Sequence, residues 1–99
     1  MTYTVRLTEK ARQDLRRLYA YLLDWDEDAA AKALEAITAA MGLLERFPFS
    51  CRKAPGNNTL LRELLVPFGS SGYVVLFRID GSDSVTIAAI RHQREDDYH

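Results

Sequence analysis

The sequence predicts an α+β fold: an N-terminal strand, a helical hairpin, then a three-stranded antiparallel meander, with the helices packed on one face of a small sheet. Three observations predict it. Residues 3 to 7 (Tyr-Thr-Val-Arg-Leu) alternate with period two, residues 9 to 44 carry apolar groups three and four apart, and from Leu60 the period falls back to two.

The first strand, residues 3 to 7, buries one face. Thr8 is placed to cap a helix over residues 9 to 23, whose apolar stripe is Ala11, Leu15, Leu18 and Leu22 and whose other face holds Arg12, Arg16 and Arg17. Asp24-Trp25-Asp26 interrupts the pattern, and Asp26 caps a second helix. Glu27 and Asp28 then sit at the positive end of its dipole. Ala30, Leu34, Ile37, Met41 and Leu44 form its stripe, its alanines let the two helices approach closely, and Pro48 ends it. Residues 48 to 59, with two prolines and Gly56-Asn57-Asn58, read as an exposed loop. Strands follow at 61 to 66, 73 to 79 and 84 to 91, joined by hairpin turns over 67 to 72 and 80 to 83. On the middle strand Tyr73, Val75, Phe77 and Ile79 point one way and Val74, Leu76 and Arg78 the other. Both faces are largely apolar, so the face away from the helices needs cover and a partner is implied.

Length and composition bound the function. Ninety-nine residues make one domain, 1–99, and 47% hydrophobic with 27% charged residues is the composition of an ordinary globular protein. Thirteen basic against fourteen acidic side chains leave a net charge of −1, which argues against general nucleic-acid affinity and against sequence-specific DNA binding by this chain alone. The N-terminus lacks the apolar block of a signal peptide, and no stretch reaches the length of a spanning helix. A cytoplasmic protein with no membrane partner is expected, consistent with a single cysteine, Cys51.

Candidate chemistry is sparse. Gly69-Ser70-Ser71-Gly72 has a GxxG form but joins two strands, so it reads as a turn, and neither serine sits on the strand-to-helix elbow of a nucleophile. His92 and His99 lack metal-ligand spacing, so neither a metal nor a cofactor is expected. Cys51, beside Arg52 and Lys53, has no histidine in a recognisable motif and reads as a loop thiol. Metal-free RNA cleavage needs a proton acceptor, cations for the phosphorane and a proton donor. His92 and Tyr98 are the conceivable proton carriers, and Arg78, Arg91 and Arg94 the phosphate clamps, with Arg62 on a neighbouring strand. Against this stands the plainer reading of Arg91 to Asp97 as a solvated strand end with local ion pairs.

The order of elements, with "LTEKARQDLRRLYAYL", "LLRELLVPFGSSGYVVLFRID" and "VTIAAIRHQRED", resembles the RelE/ParE family of bacterial type II toxins over essentially the whole chain. The most specific pieces are "PFGSSGYVVLF" and "IRHQREDDY". The resemblance implies a toxin silenced by a cognate antitoxin that folds onto it. It also implies one of two activities: RelE-like members cut messenger RNA on the ribosome, whereas ParE-like members poison DNA gyrase. In the ribonuclease pattern an arginine directly follows the segment equivalent to "SSGY", and here that position is Val74. Strand 61 to 66 has Glu63 and no lysine, the lysines being Lys10, Lys32 and Lys53. The resemblance therefore points to the ParE side, with Arg91, His92, Arg94 and Tyr98 as target-binding residues carried over from the family. A ribonuclease would instead use Arg78, Arg91, His92 and Tyr98. The antitoxin is expected in a groove lined by Tyr19, Leu23 and Trp25, with a further segment beside Tyr73 to Ile79. The alternative for Trp25 is burial inside the helical hairpin.

Overall fold

A computed structural model describes residues 2–56, 58–95 and Tyr98. Asn57, Asp97 and His99, used in the sequence reading, lie outside the described residues. The elements are β1 (Thr4–Leu7), α1 (Glu9–Leu23), α2 (Glu27–Leu44), a 3-10 turn (Pro48–Ser50), β2 (Arg52–Lys53), β3 (Leu61–Phe68), β4 (Ser71–Asp80) and β5 (Ser84–His92). The sheet order is β1-β5-β4-β3-β2, with β1 parallel to β5 and every other pairing antiparallel. Among the described residues no helix is long and apolar enough to cross a membrane.

Both helix caps form as the sequence dictates. The Thr8 hydroxyl accepts from Ala11 N at 3.1 Å and donates to Ala88 O at 3.0 Å, so one side chain starts α1 and fastens it to β5. Asp26 accepts from the backbone N–H groups of Asp28 and Ala29 at the start of α2. Ala11 and Leu18 enter the core from α1, and Leu15 and Leu22 pack against it. On α2 the stripe is rotated slightly from expectation: Ala33 is buried and Leu34 is exposed, because the small Ala33 side chain is the one that α1 can approach closely. These faces cover Leu64, Val66, Tyr73, Val75, Phe77, Val85, Ile87 and Ile90 of the sheet.

The segment 48 to 59 is not simply a loop. It contains the 3-10 turn and a fifth strand, β2, whose Arg52 and Lys53 pair with Glu63 and Arg62. The Arg62 guanidinium donates to Cys51 O at 2.7 Å and lies over the Phe49 ring, which ties this turn to β3. Cys51 is consequently buried, and burial pushes its thiol up from the ordinary range. The expected turn over 67 to 72 contracts to Gly69 and Ser70, since Pro67 and Phe68 stay in register with Gly72 and Ser71. Gly69 takes φ +60° at the first central position of this two-residue connection.

One irregularity decides what the sheet can display. Leu76 pairs with Ala89 but Phe77 pairs with Ile87, so Ala88 is an extra residue in β5. The inward set on β5 therefore changes from Val85 and Ile87 to Ile90 and His92. Arg91 is thereby turned onto the face away from the helices.

Candidate functional site

Paired residues share a face, so the register sorts every candidate side chain. The face away from the helices, here the open face, carries Arg52, Glu63 and Leu65, then Val74, Leu76 and Arg78, then Ala89 and Arg91. His92 pairs with Tyr73 and lies on the helix face. The four groups proposed for RNA cleavage are therefore divided, with Arg78, Arg91 and Tyr98 on one side of the sheet and His92 on the other.

The two sides are wired differently. On the helix face the backbone N–H of Arg94 donates to His92 Nδ1 at 3.1 Å, which makes that nitrogen an acceptor in the neutral ring. The ring proton is then on Nε2, 3.1 Å from Ser71 Oγ, and points at the hydroxyl instead of withdrawing its proton. In that tautomer the Ser71 hydroxyl accepts from the ring. The imidazole also stands edge-on to Tyr73 with centroids 5.5 Å apart, an arrangement that belongs to packing.

On the open face Glu63 is 3% exposed. One carboxylate oxygen is held by Arg52 at 2.9 Å, and the other accepts from the Tyr98 hydroxyl at 2.7 Å. The Arg91 guanidinium lies 5.2 Å from the Tyr98 ring centroid and donates to the carbonyls of His92, Gln93 and Glu95. Burial, then the neighbouring Glu63 carboxylate, push the Tyr98 phenol well above its ordinary value of 10.0. A phenol in that state is a poor base at neutral pH. Because the folded-state value is raised, the stabilisation is complete below about pH 10 and is lost as pH rises beyond it. Urea melts taken between pH 8 and 11 should show stability falling through the alkaline arm, with a shallower fall in Tyr98→Phe.

Val74, the residue where the ribonuclease pattern has an arginine, is 2% exposed and pairs with Arg91. A guanidinium and a phenol do gather beside it, while the His92 imidazole lies on the opposite face. Arg78 is four residues along β4, about 13 Å away by strand rise, and its Nε donates to Asp80 at 2.6 Å. Asp80 is also held by Thr86, and these contacts lower its carboxyl below the usual range. Arg62, with its guanidinium on the 3-10 turn, belongs to the helix face.

The residues expected to receive an antitoxin separate too. Trp25 is 75% exposed and packs against Tyr21 at 6.3 Å between centroids, so it is not inside the hairpin. Leu23 is exposed. Tyr19 lines the seam between α1 and α2, which is closely filled, with a cavity of about 10 Å³. Tyr73 is 3% exposed beneath α1. It is floor and not rim, because its parity on β4 turns it into the core. A larger cleft of about 630 Å³ lies on the other side of α1, between Tyr21 and Arg17 of that helix and the β3–β4 turn at Gly69–Ser71, with Arg94 at its edge. Sequence reading did not find this cleft, since its walls come from residues 17 to 22, 68 to 73 and 92 to 95. The cationic Arg17 at its rim is paired with Glu95 at 3.2 Å.

Comparison with known proteins places these features in a family. Residues 5–97 match the family model described as the ParE toxin of the type II toxin-antitoxin system, parDE. The chain is 38% identical over 95 residues to Toxin RelE1 of Caulobacter vibrioides, covering 96% of this chain and 98% of that protein. It is 37% identical over 92 residues to Toxin RelE3 of the same organism, covering 93% and 96%. Among solved structures, the chromosomal ParDE toxin-antitoxin system from P. aeruginosa superposes with TM-score 0.73 at 21% identity, covering 91% of this chain and 95% of that one, a likeness of fold. The toxin-antitoxin complex RelBE2 from Mycobacterium tuberculosis superposes with TM-score 0.61 at 27% identity, covering 94% and 100%.

Proposed function

This chain belongs to the ParE toxin family of type II toxin-antitoxin systems, and we propose that it acts by binding DNA gyrase in the cytoplasm, breaking no bond in RNA, until a cognate antitoxin silences it. The observation that carries this reading is the division of the ribonuclease set across the sheet. His92 is wired to Arg94 and Ser71 on the helix face, while Tyr98 is held as a donor to Glu63 on the open face. Cleavage without metal needs an acceptor and a donor on the same phosphate, and no pair of these groups meets that requirement. Binding needs only a surface, and Arg91 and Arg94 are proposed to form part of it.

The antitoxin is proposed to engage Tyr21 and Trp25, with Tyr19 and Leu23 on the flanks, and to extend into the neighbouring cleft. An incoming segment would bury apolar surface there while losing part of that gain to its own ordering. Gyrase, ATP and supercoiled plasmid incubated with the purified toxin should accumulate protein-linked cleaved DNA, and equimolar antitoxin should abolish it. Supercoiling that proceeds unaltered at excess toxin contradicts the gyrase reading.

A second reading has specific support. Two relatives carry the name RelE, and Arg91 with Tyr98 lies beside Val74 on one face. If the chain is instead a ribosome-dependent endoribonuclease, primer extension after induction should find new cuts inside translated codons, and Tyr98→Phe should remove them.

A further inference from the structure

Among the described residues no helix lies over the open face, yet Val74, Ala89 and Glu63 on it are all buried. What covers them is identified by the sheet order. Tyr98 hydrogen-bonds Glu63 on β3 and lies against Arg91 on β5, and β4 runs between those strands. Neighbouring strands are about 5 Å apart, and the open-face residues of β4 between those two ties are Val74 and Leu76. The Tyr98 hydroxyl meets a carboxylate that Arg52 fixes from the far side, at 2.9 Å. Apolar floor, cationic wall and a buried acceptor at the end together make a slot shaped for an aromatic hydroxyl.

We infer that the open face contains a phenol-binding slot formed by Glu63, Val74, Leu76 and Arg91, that Tyr98 is its built-in occupant, and that the target-binding form is the one from which Tyr98 has withdrawn. The second part rests on the binding reading above; the slot itself does not. A site that its own side chain occupies most of the time binds an outside partner more weakly by the fraction of time it stands empty. Loss of a hydrogen bond to a charged carboxylate changes such an equilibrium by roughly tenfold.

The test uses the full chain, freed from its antitoxin, as native protein, Tyr98→Ala and Tyr98→Phe. Methyl resonances of Val74, Leu65 and Leu76 are followed by NMR as p-cresol is added. The slot predicts that p-cresol shifts the Val74 and Leu76 methyls saturably in Tyr98→Ala and leaves them unmoved in the native chain. Absence of saturable shifts in a folded Tyr98→Ala overturns the slot. Tyr98→Phe keeps the ring and covers the case in which the alanine variant does not fold. There the slot predicts p-cresol affinity above native, and native-like resistance to p-cresol overturns it. Gyrase affinity is measured on the same three proteins. Withdrawal predicts a rise of roughly tenfold in Tyr98→Ala and a smaller rise in Tyr98→Phe. A fall makes Tyr98 itself a target contact and overturns the withdrawal. If p-cresol binds as expected while no variant touches gyrase, the slot stands and the gyrase reading fails.

Discussion

Gly72→Ala should cost about 3–5 kcal/mol, a large share of the stability of a domain this size. The demand is one of space. A Cβ at Gly72 would lie 2.2 Å from Val66 O and 3.1 Å from Pro67 Cα, and the neighbour it meets is backbone that cannot swing aside. Relief requires parting β3 from β4 at the end of the hairpin, where Gly72 O also accepts from Gln93 N at 2.9 Å. Gly69→Ala provides the contrast. Nothing lies within 4 Å of its Cβ, and only the φ of +60° opposes the change, so about 1–2 kcal/mol is expected. Thermal melts of the two variants should differ by well over 5 °C.

Asp14→Ala should cost about 2–3 kcal/mol, while the exposed neighbour Gln13 tolerates the same change within about 0.5 kcal/mol. Asp14 is 3% exposed, on the inner side of α1. Its Oδ2 accepts from Ile90 N at 2.9 Å, and Lys10 Nζ reaches both carboxylate oxygens at 2.7 and 2.8 Å. The reason lies in the topology. β1 pairs with β5 only as far as Ile87, so beyond that point no strand lies on that side of β5 among the described residues. The helix supplies the missing partners: Thr8 N bonds Ile87 O, the Thr8 hydroxyl bonds Ala88 O, and Asp14 takes Ile90 N–H. Removing the carboxylate leaves a buried N–H unsatisfied, which is the expensive way to lose a hydrogen bond. Asp14→Asn keeps an acceptor but weakens the tie to Lys10, and should fall between. Urea denaturation with an unchanged m-value would confirm that only stability moved.

How much of this was legible in the sequence depends on the range over which each signal acts. The helical hairpin was readable from side-chain spacing and two caps, Thr8 and Asp26, because helices are decided within a few residues. The three long strands were readable from alternation. β2 was not, since two residues carry no period and their pairing is made by Glu63 and Arg62, further along the chain. The β5 bulge at Ala88 was hidden within "TIAAI", where small residues fit either face. That single residue determines which of Arg91 and His92 looks outward, so the candidate site could not be assembled from sequence without it. Nothing in the sequence marks Asp14 or Glu63 as a buried acid. Their burial follows from partners 76 and 35 residues away, Ile90 and Tyr98. The family resemblance pointed to the tail residues but not to which face each occupies.

The central claim is that growth arrest follows from binding to the replication machinery and not from cutting messages. Pulse-labelling of cells with thymidine and methionine at intervals after induction tests it most directly. The account predicts that thymidine incorporation collapses first while methionine incorporation continues. Methionine incorporation collapsing first, with DNA synthesis still running, would contradict it.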